Sequence, residues 1–201
     1  DGISGRPNIL PDGRLGRFGW KANIPTLQDF VADAMLNELG MTVHPSLSGF
    51  TVFDDMDSCP DPELDDSDFI SILFYLQNLA PPFSQQVFET ADQGKQIFMD
   101  VGCNDCHRSE LPGFSDYLLH DVAPNPFVLV EQDMGVDPSE YRTAPLWGIS
   151  GTAPYLHDGS ASSIERAIEL GHFGEATRAR DAYFSLTEEE KNLLLEFLNS
   201  I

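Results

Sequence analysis

Residues 103–107 read Cys-Asn-Asp-Cys-His. A Cys-x-x-Cys-His loop brings two thiols to one porphyrin edge, where they add to the vinyl groups, and sets an imidazole beneath the iron. The stretch reads as a c-type haem attachment site, with Cys103 and Cys106 as covalent anchors, His107 as the proximal iron ligand and one haem c per chain. Two other chemistries use cysteines at this spacing. A structural zinc site needs a second ligand cluster, and the third cysteine, Cys59, stands in Asp57-Ser-Cys-Pro-Asp-Pro62 without one beside it. A thioredoxin-like redox pair needs a preceding strand in a βαβ unit, whereas the segment before Cys103 has helical periodicity. A structural metal-binding module is therefore the weaker, non-enzymatic alternative.

Outward from the motif, Gly94, Ile97, Phe98 and Val101 fall at i, i+3, i+4 and i+7, which predicts a helix over 91–101 closed by Gly102. The same spacing recurs in Leu194, Phe197, Leu198 and Ile201, behind the capping box Thr187-x-x-Glu190. Gly94, lacking a side chain, permits a close crossing of these two helices. That pair resembles the terminal helix pair of c-type cytochromes. Between them the sequence reads as a long irregular stretch, 108–162, and a short helix from Ser163 to Leu170. Toward the N-terminus, one helix is expected from the N-cap Thr26 through Leu27, Phe30, Val31 and Ala34 to Gly40. A second carries Phe69, Ile72, Leu73, Leu76 and Leu79 on one face and is ended by Pro81-Pro82. Residues 41–65 are an acidic, proline-containing loop.

At 201 residues the chain accommodates one large domain or two small ones. Its net charge of −22 weighs against nucleic acid or an anionic membrane surface as partner and favours a cationic redox partner or a saline habitat. The longest apolar candidate, Phe69 to Ala80, is interrupted by Ser71, Gln77 and Asn78, so no membrane span is expected. The chain opens at Asp1 without a Met or an apolar signal core, which predicts a processed mature protein or a fragment. Haem attachment to this motif takes place outside the cytoplasm, so a periplasmic or extracellular location follows. Cys59 is either a free thiol or half of a bridge to another chain.

Further segments resemble the bacterial di-haem cytochrome c peroxidase superfamily, and in particular its di-haem oxidoreductase (thiol oxidoreductase) branch. They are Gly2-Ile-Ser-Gly-Arg-Pro-Asn8, Gly16-Arg-Phe-Gly-Trp-Lys-Ala22, Leu118-Leu-His-Asp121, Arg142-Thr-Ala-Pro-Leu-Trp-Gly148, Tyr155-Leu-His-Asp-Gly159 and Gly174-Glu-Ala176. The resemblance implies a mainly α protein with long irregular loops. Residues 1–82 would be the second half of an N-terminal haem domain, 83–87 a linker, and 88–201 a C-terminal cytochrome-c-like haem domain. Members of the family carry two Cys-x-x-Cys-His sites and this sequence carries one. A haem-bearing N-terminal polypeptide or fragment is therefore an expected partner. The helix faces Leu27/Phe30/Val31/Ala34 and Phe69/Ile72/Leu73/Leu76 are expected to lack a packing partner without it.

The sixth iron ligand is open between His44, His120, His157, His172 and five methionines on the residues alone. The resemblance selects His172, which precedes Gly174-Glu-Ala176 as the branch's distal histidine does. It also implies that His157 orients a propionate or a ligand, that Arg142 neutralises a propionate, and that Trp20 relays electrons between haems. Thr152 and Pro154 match positions whose carbonyls bind calcium, with Asn8 as the third protein ligand. The glutamine and glutamate that relatives use on peroxide fall at Phe30 and Gly40, neither of which moves a proton, with Glu38 two residues away. Two readings follow: electron transfer through a bis-histidine haem, or hydroperoxide reduction at a haem on a missing segment.

Overall fold

The computed structural model describes residues 2–48, 57–82, 89–123 and 135–201; the expected linker, 83–87, lies outside them. The described residues form six α-helices and one two-stranded antiparallel sheet, a helix-rich architecture. The chain divides into two compact units. One comprises Asp1–Asn8, Trp20–Ala22 and Pro81–Ile201, and the other Ile9–Gly19 and Asn23–Ala80.

In the second of these units, α1 (Leu27–Leu39) starts where the Thr26 side chain accepts the Asp29 amide. It stops at Gly40, whose φ of 65° puts the chain in the left-handed region. Asp65 caps α2 (Asp66–Gln77) by accepting the Ser67 amide. The two helices share a small core of Val31, Ala32, Val43, Leu64 and Phe69, against which Leu27, Ile72, Leu73 and Leu76 pack. Of the faces expected to lack a partner, Leu27, Val31, Phe69, Ile72, Leu73 and Leu76 thus pack within the unit. Leu79 does not join them: α2 ends at Gln77, before the prolines, and Leu79 is exposed. Phe30 stacks on Phe18 with ring centroids 5.7 Å apart, and Gly40 serves as the helix stop, so both positions have structural occupations.

The larger unit is built on the crossing of α3 (Ala91–Asp100) with α6 (Glu188–Asn199). Their seam holds Phe98, Val101, Leu194, Phe197 and Leu198, with Leu146, Ile164 and Tyr183 completing the core. Gly94 is where the helices touch: a Cβ there would lie 2.1 Å from the Leu193 carbonyl oxygen and 2.7 Å from the Phe197 Cβ. Thr187 and Glu190 close the expected capping box at the start of α6. The stretch read as irregular contains a sheet, β1 (Leu119–Asp121) against β2 (Glu140–Arg142), with His120 opposite Tyr141. Arg6 adds a bridge on the other side of Leu119. Strands of three residues are too short to leave an alternating signature. Helix α4 (Ile164–Gly171) has Ser163 as its cap. Helix α5 (Thr177–Phe184) was not expected; its sequence carries charge on several sides and buries only Tyr183.

Candidate functional site

Helix α3 ends at Val101, and Gly102, with φ of 93°, turns the chain into the tight turn Cys103–Asp105. The His107 amide donates to the Cys103 carbonyl (3.0 Å), and the Arg108 and Asp116 amides both donate to that of Cys106 (3.0 Å each). Both thiols and the imidazole thereby sit on one folded loop. Burial pushes the Cys103 thiol up to about 12, so it is un-ionised at neutral pH.

Farther along the loop, Gly113 and Phe114 take consecutive left-handed conformations (φ 74° and 54°), which is costly for phenylalanine. The result is a carbonyl aimed at the His107 ring, whose Nδ1 donates to the Phe114 oxygen at 3.2 Å. A carbonyl only accepts, so the proton is on Nδ1 and the Nε2 lone pair is available to a metal. His172, just past α4, is held in the same way, its Nδ1 donating to the Ala167 carbonyl at 3.1 Å. The rings face each other with centroids 6.4 Å apart and planes inclined by 38°. Two nitrogen–metal bonds of roughly 2 Å, with about 1 Å from each nitrogen to its ring centre, require ~6 Å, so the pair fits a single ion between them. Burial, then repulsion from His172, pulls His107 down to about 4, and burial lowers His172 as well. Both imidazoles are neutral at physiological pH, the form that ligates.

The pair lies in a cavity of about 790 Å³ walled by apolar groups such as Leu146, Ile149, Leu156 and Ile168. That is ample for a flat tetrapyrrole-sized cofactor. Cys103, Cys106, His107, His172, Arg142, His157, Trp20, Thr152 and Pro154 all line it. Asn8 does not: its buried amide nitrogen donates to the carbonyls of Ala22 (3.0 Å) and Lys21 (3.3 Å). Arg142 is partly buried, which pulls its guanidinium below the usual range. Arg178 and Arg180 join it as cations on the wall, and the sequence reading had not singled them out.

His157 stacks on Tyr141 with centroids 4.8 Å apart, and Trp20, 49 % exposed, stands edge-on to it at 6.5 Å. The ammonium of Lys21 lies 3.6 Å from the centre of the Tyr141 ring. It also donates to the carbonyls of Asp137 (3.3 Å), Pro138 (2.9 Å) and Glu140 (2.5 Å). His44 is exposed and bonded to Ser46. Two of the methionines, Met56 and Met134, lie outside the described residues.

His120, another cavity-lining histidine, offers no free nitrogen to a metal. Its Nε2 meets the Asp116 carboxylate at 2.9 Å and its Nδ1 that of Glu175 at 2.8 Å, with only 3 % of the side chain exposed. Burial works against its charge, but Asp116, Cys106 and Glu175 outweigh it and push it up to about 11. Ser4 completes the group, its amide and hydroxyl donating to the two oxygens of Glu175 at 2.9 and 3.0 Å. Asp116 and His120 are four residues apart, but Glu175 lies 55 residues beyond His120, and no spacing rule joins it to them.

Residues 108–201 match the family model described as "Di-haem oxidoreductase, putative peroxidase". The cytochrome c551 peroxidase of Pseudomonas aeruginosa is 28% identical over 119 residues, which are 54% of this chain and 33% of that protein. The chain thus spans about a third of the length of this curated relative. Among solved structures, a MauG-like protein associated with microbial copper homeostasis superposes on 100% of the chain and 73% of its own, with a TM-score of 0.57 at 21% identity. The hydrazine synthase of Kuenenia stuttgartiensis, pressurised with xenon, covers 69% of the chain and 56% of its own, with a TM-score of 0.53 at 21% identity. At these identities the two structures speak for the fold alone.

Proposed function

We propose that the chain, whose residues 108–201 match the family model described as "Di-haem oxidoreductase, putative peroxidase", passes electrons through one covalently held haem c. It acts as an electron-transfer protein or as a subunit of a di-haem oxidoreductase. The observation that carries this reading is the facing of His107 and His172, 6.4 Å apart, each with its Nδ1 fixed to a backbone carbonyl. When bound, haem iron supplies a reversible one-electron couple. Cys103 and Cys106 would hold the macrocycle, and Arg142 would offset propionate charge from the cavity wall. Were His107 and His172 both to hold the iron, they would leave peroxide no place on it, which favours electron transfer. Trp20, half exposed at the cavity rim, extends a π-system toward a second redox centre.

Spectroscopy tests the ligand pair. The oxidised protein should be low-spin, and His172→Ala should become high-spin or bind an external ligand, while His44→Ala should match the parent. A low-spin His172→Ala spectrum identical to the parent's overturns the assignment. Peroxide reduction at a haem on another polypeptide is the second reading, favoured by the name of the matched relative. Rapid peroxide turnover with a reduced donor that appears only when that polypeptide is present beside this chain would establish it. Periplasmic or extracellular residence, and calcium held by Asn8 with the carbonyls of Thr152 and Pro154, belong to the same proposal. A calcium chelator should then lower the thermal midpoint.

A further inference from the structure

Buried charge needs a reason, and His120, Asp116 and Glu175 put three charged groups where apolar side chains would fill the space at less cost. Both ring nitrogens face carboxylate oxygens, at 2.9 and 2.8 Å. A neutral imidazole has one N–H and satisfies one of them; an imidazolium satisfies both. Two negative carboxylates around one positive ring leave an excess anion, which Ser4 solvates: its amide donates to the Glu175 Oε2 that faces His120, and its hydroxyl to Oε1. Gly5 packs so closely on the ring that a Cβ there would lie 2.3 Å from His120 Cε1. The ring is thus fixed in position as well as in charge.

The two carboxylates come from opposite sides of the iron site. Asp116 closes the loop after the proximal histidine: its amide bonds the Cys106 carbonyl, and Phe114, two residues earlier, supplies the carbonyl that fixes His107. Glu175 stands three residues after His172. The intervening backbone lies against β1, with the Phe173 amide on the Val122 carbonyl at 3.0 Å and Gly174 too close to the Asp121 oxygen to bear a side chain. We propose that His120 is a positioning residue for the iron: bridging Asp116 and Glu175, it ties the proximal-ligand loop to the distal-ligand loop and so sets the separation of His107 and His172. The inference rests on the reading of those two histidines as axial ligands.

The test uses the haem-loaded full chain and reads ligation rather than turnover. His120→Gln keeps one polar contact but cannot bridge both acids. Glu175→Gln keeps the shape and the Ser4 contacts while removing the charge on the distal side. In either variant the pyridine haemochrome should still report one covalent haem. The distal ligand should be labile, however, with a high-spin fraction in the electron paramagnetic resonance spectrum and cyanide binding faster by about 10-fold or more, the scale on which outer-shell partners act at metal sites. If His120→Gln does not fold, Glu175→Gln decides. Cyanide rates and g-values equal to the parent's in the variants that fold would refute the clamp. A parent that is itself high-spin, or indifferent to His172→Ala, would instead remove the ligand assignment beneath it.

Discussion

Tautomers decide this site at the scale of single residues. His107 and His172 each lose one nitrogen to a carbonyl and keep the other for a metal, whereas His120 gives both nitrogens to acids. The pentapeptide announces the first of these in sequence; His172 is singled out only through the family resemblance, and a lone histidine such as His120 announces nothing, because its partners are chosen by the fold. The clamp has a pH signature. Asp116 and Glu175 push His120 well above its ordinary 6.5 in the folded chain, so its contribution to stability is complete below about pH 6.5 and is lost as pH rises through the raised value. In Asp116 and Glu175 burial opposes ionisation, but hydrogen bonds outweigh it and hold both below the usual carboxylate range. Their contribution is present above the unfolded values and fades as acid protonates them. Thermal midpoints should therefore decline from neutral to pH 10 more steeply in the parent than in His120→Asn. Parallel profiles would mean that the imidazolium does not couple to folding.

Among the elements, α3 and α6 were legible because their apolar residues repeat at helical spacing and their ends carry capping residues. Helix α5 was not, since Thr-Arg-Ala-Arg-Asp-Ala-Tyr-Phe has no apolar face and owes its shape to what Tyr183 packs into. The short sheet escaped for the same reason: its partners are joined by tertiary contacts rather than by a local pattern. The helix crossing gives two predictions. Gly94→Ala places a methyl against the Leu193 backbone, and forcing the helices apart should cost about 1–3 kcal/mol, outweighing the gain in helix propensity. Thr187→Ala breaks the capping box and should cost roughly 0.5–2 kcal/mol. Denaturant titrations measure both; a Gly94→Ala variant at parent stability would show that α3 and α6 slide apart without penalty.

Taken whole, a molecule of net charge −22 should meet a cationic redox partner quickly at low ionic strength and slowly in salt. Stopped-flow reduction by a basic cytochrome, repeated across salt concentrations, should show that fall. Native mass measurement should find a second haem-bearing polypeptide beside this chain, and a stable monomer with a single haem would overturn that expectation. The seating of His107 and His172 also bears on chain topology. One ion shared by positions 107 and 172 would close a loop of roughly 65 residues, and a cross-link of that span removes about 4 kcal/mol of disorder from the unfolded chain. The iron would then act as a stitch as well as a wire, and cutting the stitch at His172 would loosen α4 and α5 together though neither loses a core side chain.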